Sequence, residues 1–177
     1  RTDLNGNHTF WNKKFEDDFG YLYPNGLGNK ESLASICSYD QEKATQTALY
    51  CLAHPGVAIT VELDKPTKDG GVMTTLWDFI CLTDHEAKPF EMQCEGMDIT
   101  ALKRAEKTLK ESEEKYRFLF EESPDGYLII EDGKFIECNK ASLDLMRCTR
   151  KDLLGKFPYE ISPEFQPNGR RSREYAI

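Results

Sequence analysis

Long apolar runs, a basic excess and paired metal-binding cysteines are all missing from this chain of 177 residues. No stretch approaches the roughly 18 apolar residues that a membrane span requires, and there is no signal peptide. Basic residues number 23 against 31 acidic ones, which gives a formal net charge of −8. Because a protein that follows nucleic-acid phosphates needs a basic face, we expect no nucleic-acid partner, and no membrane contact within these residues.

The six cysteines form no Cys-x-x-Cys pair, and their spacing to the histidines does not suit zinc. Most of them stand among apolar neighbours, which predicts small buried side chains in a reducing, cytoplasmic compartment, with no metal site. His8 and His85 lie in turn sequences, so we expect both to face solvent. The chain has no initiator Met and no terminating signal, so any membrane anchor of the parent protein would lie outside these residues.

Catalytic signatures are also missing. The sequence contains no GxGxxG, P-loop, HExxH or nucleophile-elbow motif, and its acidic residues fall in turns or on charged faces. It likewise lacks a histidine-kinase phosphoacceptor helix, an ATP-binding domain and a nucleotide-cyclase signature. We therefore predict that these residues form no enzyme.

Apolar periodicity in the first hundred residues predicts a mixture of helices and strands. Alternation with a period of two predicts four strands, at residues 8–12, 57–63, 72–82 and 90–95. The third of these is apolar on both faces in its latter half, which favours a central position in a sheet. Helical spacing predicts helices over residues 13–20 and 31–52, and the sequence of residues 65–71 predicts a turn.

A charged helix with a heptad repeat follows, and we predict it over residues 101–121. We name its apolar stripe the heptad face, whose residues recur at spacings of three and four: Leu102, Ala105, Leu109, Ser112, Tyr116 and Leu119. This pattern predicts an amphipathic coiled-coil helix that forms a parallel homodimer, weakened at Ser112. The alternative is a surface helix with a solvated charged face. Thr100 is the predicted N-cap, with Asp98 adding negative charge nearby.

The last third of the chain begins with a break at residues 123–126. Two strands, 127–130 and 135–138, flank a hairpin turn. Asn139 is predicted to cap one helix and Thr149 a short second one that Gly155 ends. A last helix is predicted to start near Asn168.

An internal repeat links the two ends of the sequence. Residues 3–13 and 130–140 each read as a strand, a glycine turn, a second strand and Asn-Lys opening a helix. Gly28 and Gly155 follow the two copies at comparable distances.

With these features the chain resembles tandem PAS domains. The sequence Gly-Met-Asp-Ile-Thr at residues 96–100 resembles the Asp-Ile-Thr ending with which PAS domains lead into an output helix, and residues 112–121 resemble the family's entry into a next copy. The resemblance implies an α+β fold: a PAS-like antiparallel five-stranded sheet with flanking short helices, then a long connector helix and a partial second PAS unit.

The resemblance also implies three segments. Residues 1–100 would be a PAS domain with a C-terminal PAC segment and an incomplete first strand, residues 101–121 the signalling helix, and residues 122–177 the N-terminal half of a second PAS domain. Because that half lacks three strands and a two-stranded ribbon is marginal in water, we predict that it is loosely packed, docked on another part, or completed by residues outside this chain.

A ligand pocket between helices and sheet is a further expectation, with these candidate lining residues: Phe10, Leu49, His54, Trp77 and Phe79. Plain hydrophobic core is the favoured alternative, and a buried Trp77 indole would need a partner, more often backbone than ligand. Flavin-binding relatives use a reactive cysteine whose sequence partners are missing around Cys37. Haem-binding relatives use a histidine on the long helix, whereas His54 stands beside Pro55 in a capping position. The sequence therefore identifies no cofactor and argues against haem and flavin.

The function that the resemblance implies is a sensory input and signal-relay module. It would sense a small molecule or partner and pass the change through Asp98, Ile99 and Thr100 into a dimeric helix, upstream of a histidine kinase in a two-component phosphorelay. Three alternatives stay open: another output such as a diguanylate cyclase, a haem- or flavin-type cofactor sensor, and a ligand-free dimerisation scaffold.

Overall fold

The computed structural model describes residues 1–28 and 32–175. The chain divides into two units, Arg1–Glu106 and Lys107–Ile177. No helix within the described residues is long and apolar enough to cross a membrane.

The first unit is a three-stranded antiparallel sheet with helices against one face. Its helices are α1 (Lys13–Phe19) and α2 (Gln41–Ala53), and its strands are β1 (Ala58–Pro66), β2 (Val72–Thr83) and β3 (Pro89–Asp98). Short 3-10 turns lie at Gly20–Leu22, Ser32–Ser35 and Ser38–Asp40. The strand order β1-β2-β3 makes β2 central, which confirms the prediction from its apolar faces.

The predicted five-stranded sheet is corrected to three strands in the described part of this unit. The predicted strand at residues 8–12 is wrong, because the N-terminal segment makes only isolated bridges, Thr2 with His8 and Thr2 with Met92. Directly after Thr2, the Asp3 carboxylate accepts hydrogen bonds from the backbone of Asn5 and Asn7 and closes a tight turn. That turn leaves too little extended backbone for a ladder.

The predicted helix over residues 31–52 is broken, and its first residue lies outside the described residues. Cys37 has an extended backbone, with φ −57° and ψ 141°. Its N–H donates to the Asp64 carbonyl at 2.8 Å, and the Asp40 carboxylate accepts from the Asp64 N–H at 2.7 Å. These bonds to β1 outweigh helical periodicity, so α2 begins only at Gln41.

The core of the first unit lies between α2 and one face of the sheet. Its buried apolar side chains are Ile36, Ala44, Cys51, Val61, Leu63, Phe79, Cys81 and Met92. The period-two alternation predicted for the strands places the β1, β2 and β3 members on this common face.

Helix α3 (Thr100–Glu121) confirms the predicted long helix. The predicted N-cap is wrong, since Thr100 is already helical and its own N–H donates to the Asp98 carboxylate at 2.8 Å. The Asp98 side chain therefore caps the helix from two residues upstream. The Thr100 hydroxyl instead faces Thr74 of β2, which fixes the start of the helix to the central strand.

The second unit contains the predicted hairpin and short helices. It comprises β4 (Leu128–Glu131), β5 (Lys134–Cys138), α4 (Lys140–Met146), α5 (Arg150–Leu153) and 3-10 turns at Pro158–Glu160 and Ser172–Tyr175. The predicted helix near Asn168 is wrong, because the Gly169 N–H donates to the Gln166 carbonyl at 2.9 Å and makes a turn there. Buried apolar residues of this unit's core cluster are Phe135, Cys138 and Leu153.

Candidate functional site: a cavity in the first unit

A cavity of about 770 Å³ lies in the first unit. Side chains of α1, α2, the N-terminal segment and all three strands line it. Cavities that hold small ligands commonly measure 300–1,000 Å³, so this one has room for a small molecule.

Four of the five predicted pocket residues line this cavity: Phe10, Leu49, Trp77 and Phe79. Phe79 is buried, whereas Phe10 and Leu49 are 55% and 53% exposed. The structure places the fifth, His54, elsewhere: it ends α2, its ring stacks on Tyr50 at 4.2 Å, and its Nδ1 lies 3.0 Å from the Tyr50 carbonyl. His54 therefore has the capping position that its sequence context favours. Binding of a ligand by the other four stays a prediction.

Lys65 is a cavity residue that the sequence analysis missed, because it was assigned to a turn. It continues the inward alternation of Val61 and Leu63 on β1, and only 3% of it is exposed. Its Nζ donates to the Ser35 hydroxyl at 3.0 Å and lies 4.4 Å from the Trp77 ring centroid. Extending the period-two pattern by one step would have placed this side chain on the core face.

The Lys65 ammonium keeps its charge near neutral pH despite its burial. Burial lowers the pKa of this group to about 8, while Cys94 and Cys37 act in the opposite direction. Within residues 1–28 and 32–175, no carboxylate forms an ion pair with it. A buried cation is costly unless paired, so aromatic rings and one hydroxyl provide its only described compensation.

His8 contradicts the expectation that it faces solvent, since it is only 8% exposed. Its ring lies 5.0 Å from that of Tyr23 and 5.4 Å from those of Trp11 and Phe15. Neither ring nitrogen has a hydrogen-bond partner among the described residues. Burial, assisted by the positive charges of the Arg1 ammonium and Lys65, lowers the pKa of His8 to about 4. Its neutral ring offers one donor and one acceptor inside the cavity wall. His85 is exposed, as predicted.

Trp77 lines the cavity and also contacts β3. Its indole N–H donates to the Thr75 hydroxyl at 2.7 Å, so its partner is a side chain and not the expected backbone group. Trp77 pairs with Gly96 across the sheet. A Cβ at Gly96 would lie 2.3 Å from the indole Cε2, so only glycine permits this close approach.

The predicted relay residues stand where β3 passes into α3. The Ile99 N–H donates to the Thr74 carbonyl at 2.9 Å, and the Thr100 hydroxyl accepts from the Thr74 N–H at 3.0 Å. Asp98 lines the cavity as well as capping α3. The start of the helix is therefore held by the central strand within reach of the cavity.

Cysteines and potential metal ligands are the side chains that could carry redox or metal chemistry. All six cysteines have free thiols, and burial raises the pKa of Cys94, on the cavity wall, to about 11. Cys37 is not among the lining residues. In the described ranges, no group of three His, Cys, Asp or Glu side chains could hold a metal ion.

The PAS domain family model matches residues 114–176. This match begins inside α3 and covers the hairpin and short helices of the second unit. Over these residues the chain is similar to the PAS domain family. No curated protein matches the sequence significantly.

Solved PAS-containing structures are similar to part of this chain. A sensory box histidine kinase/response regulator from Burkholderia thailandensis is 26% identical over 50% of this chain and 65% of its own, with a TM-score of 0.40. A PAS domain from Colwellia psychrerythraea is 23% identical over 56% of this chain and 83% of its own, with a TM-score of 0.48. Drosophila melanogaster Cycle PAS-B with bound ethylene glycol is 11% identical over 54% and 93%, with a TM-score of 0.46. The match spans less than two thirds of the Burkholderia chain.

Proposed function

We propose that this chain is a sensory input and signal-relay module in which the first unit is also a PAS sensory domain. A small molecule binds in its cavity, and the resulting change passes through β3 into α3 and on to an output domain. One observation carries this proposal: a cavity large enough for a small molecule has a wall residue, Trp77, that contacts the strand leading directly into α3.

The first step of the relay is the contact between Trp77 and Gly96. The indole ring lies so close to the Gly96 backbone that there is no room for a methyl group between them. A ligand that pushes the ring toward Gly96 therefore displaces β3 at this position. Close packing transmits such a shift, because protein interiors have few voids to absorb it.

The second step lies three and four residues after Gly96, at Ile99 and Thr100. Ile99 and Thr100 are both hydrogen-bonded to Thr74 of β2, and the Lys103 ammonium forms a 2.7 Å ion pair with Glu62 of β1. A movement of β3 relative to β1 and β2 strains these bonds and redirects the first turn of α3. Such a junction suits a switch between two discrete packings.

The third step is a homodimer through the heptad face of α3. Its large apolar residues are exposed, with Leu102 at 57%, Leu109 at 71% and Leu119 at 59%. Ion pairs at spacing i,i+4 occupy other faces, for example Lys107–Glu111 and Arg117–Glu113. This arrangement leaves the apolar stripe available to the same stripe of a second copy, as in a parallel coiled coil. Ser112 keeps the dimer weak enough to switch.

Leu109→Asp tests the dimer. A charge at a central heptad position should convert the dimer to monomer, measured by sedimentation equilibrium of the whole chain. Lys107→Asp places the same side chain on the outer face of α3 and should leave the dimer intact. An unchanged sedimentation mass for Leu109→Asp overturns the dimer proposal.

Native mass spectrometry with an absorption spectrum on the same sample tests the sensory role. Extra mass on the purified chain supports a ligand-filled cavity, and a visible absorption band would indicate the cofactor-type sensor. A bare, colourless chain that binds no added small molecule would instead support the ligand-free scaffold, in which Trp77 and Phe79 are plain core.

The last part of the proposal concerns the output domain of the parent protein. It rests only on the resemblance of the sequence to tandem PAS domains. We expect a cytoplasmic sensor histidine kinase, with a diguanylate cyclase as the alternative, and no catalytic activity in these residues. Autophosphorylation by the parent protein, assayed with labelled ATP, separates the two outputs.

A further inference from the structure

A positive charge stands in the cavity wall, and none of the described residues gives it an acidic partner. The Lys65 ammonium has three N–H donors, and one of them bonds to the Ser35 hydroxyl. Lysine is almost never buried to this extent unless it is paired. The rings of Trp77 and Phe19, at 4.4 and 4.9 Å from Nζ, attract the cation but accept no hydrogen bond comparable to that of a carboxylate.

Carboxylates do line the cavity, but each has a partner other than Lys65. The partners are backbone or side-chain groups at 2.6–3.0 Å: Asn7 for Asp3, Lys14 for Asp18, Gln93 for Glu95, and Thr100 for Asp98. The described part of the chain therefore leaves Lys65 without an ion-pair partner.

A second, independent observation points to a ligand in the same place. His8 is buried, and neither of its ring nitrogens has a hydrogen-bond partner in the residues that the structure describes, although buried polar atoms are nearly always hydrogen-bonded. His8 and Lys65 share a neighbour, because the Phe15 ring lies 5.4 Å from the His8 ring and 5.9 Å from the Lys65 Nζ. Two unsatisfied polar groups thus adjoin one aromatic-lined space.

We propose that the cavity binds a small organic acid with an apolar body, whose carboxylate pairs with Lys65. The apolar body lies against the rings of Phe15 and Trp77, and a polar group of the ligand takes up the free hydrogen-bonding capacity of His8. The aromatic surroundings favour this ligand class over inorganic phosphate, which has no apolar surface to bury. This inference rests on the proposed function of the cavity as a ligand site.

Both tryptophans of the chain, Trp11 and Trp77, line the cavity, so their fluorescence reports directly on its occupancy. The probes are two acids, phenylacetate and hexanoate, each titrated beside its uncharged amide, phenylacetamide and hexanamide. At pH 7 we expect each acid to bind at least tenfold more tightly than its amide. Phosphate is titrated as a third probe and should cause no saturable change.

Lys65→Met removes the charge and keeps an unbranched side chain. It should weaken acid binding at least tenfold and leave amide binding unchanged. Lys68→Met is the matched control, because Lys68 is exposed in the turn between β1 and β2. It should change neither acid binding nor amide binding. Far-ultraviolet circular dichroism confirms that each variant folds.

The outcomes separate this inference from the proposed function. If acids and amides bind equally, or if Lys65→Met binds the acids as tightly as the parent sequence does, the acid preference is wrong while the ligand site stands. If neither the acids nor the amides change the tryptophan emission of the unsubstituted chain or of Lys65→Met, both the acid preference and the ligand-binding role of the cavity are overturned.

Discussion

Residues 3–12 and residues 130–139 share two features of local structure, although only the second segment forms a β-hairpin. Asn12 and Asn139 cap α1 and α4 with nearly equal backbone angles, φ −87° and ψ 170° against φ −89° and ψ 171°. The Gly28 N–H donates to the His8 carbonyl at 2.8 Å, and the Gly155 N–H donates to the Phe135 carbonyl at the same distance. The repeat found in the sequence therefore extends to the helix cap and to the glycine hydrogen bond, but not to the strand pairing.

The two copies differ in the side chain at the matched buried position. Phe135 is 4% exposed and belongs to the apolar core of the second unit. The first unit has His8 there, which is 8% exposed and whose two ring nitrogens find no hydrogen-bond partner across the described ranges. The matched position thus belongs to an apolar core in one unit and to a polar cavity wall in the other. The first unit therefore has a polar side chain at a position where the second unit has apolar packing.

The two capping asparagines also differ, and here the second unit has the more extensive polar contacts. Asn12 makes one side-chain hydrogen bond, with the Phe15 N–H at 2.9 Å. Asn139 is fully buried and makes four, to the backbone of Phe120, Asp125, Tyr127 and Ser142. The second unit, which has few buried apolar residues, therefore depends far more on this one amide.

Asn139→Ala should give the largest effect. Removing the amide leaves buried backbone groups without partners, which costs roughly 3–5 kcal/mol, enough to unfold a small unit. Asn12→Ala loses a single exposed cap and should cost about 1 kcal/mol. Hydrogen exchange of residues 127–138 measures the first and that of α1 the second, and equal losses of protection would contradict the difference described here.

Lys65→Met should stabilise the first unit at pH 7 by about 3 kcal/mol, because the folded-state pKa of Lys65 is about 8 against an ordinary value of 10.5. Between these values the unfolded chain binds more protons than the folded one, so the parent sequence gains stability as pH rises. The difference in free energy of unfolding between the variant and the unsubstituted chain is largest below pH 8 and disappears above pH 10.5. Urea unfolding followed by tryptophan fluorescence checks this, and an advantage independent of pH would refute it.

His8→Phe gives the first unit the side chain that the second unit has at the matched position, Phe135. At pH 7 the variant should be more stable by about 1–2 kcal/mol, because two unsatisfied polar atoms are removed. The pKa of His8 is lowered from 6.5 to about 4, so the unfolded chain takes up a proton first as pH falls. The advantage of the variant should therefore grow between pH 6.5 and 4. Phe135→His is the reciprocal control and should destabilise the hairpin in hydrogen exchange.

Several features of the fold followed from local sequence. Alternation along β1, β2 and β3 identified the sheet and its central strand, and the heptad spacing identified α3. The predicted lining residues also came to one cavity, except His54. The polar members of the site escaped prediction because His8 follows a turn motif and Lys65 ends a strand, contexts in which such residues are usually exposed.

The amino-acid sequence by itself determined the elements whose signals are local: strand alternation, the Asn caps, the glycine turns and the charged heptad helix. Tertiary structure alone decided where the helix after Cys37 begins, that His8 and Lys65 are buried, and that Trp77 lies across Gly96. The physical reason is that periodicity and capping act over a few neighbouring residues. The burial of a polar side chain depends instead on free energies contributed by segments distant in the chain, such as α1 and β2 around Lys65.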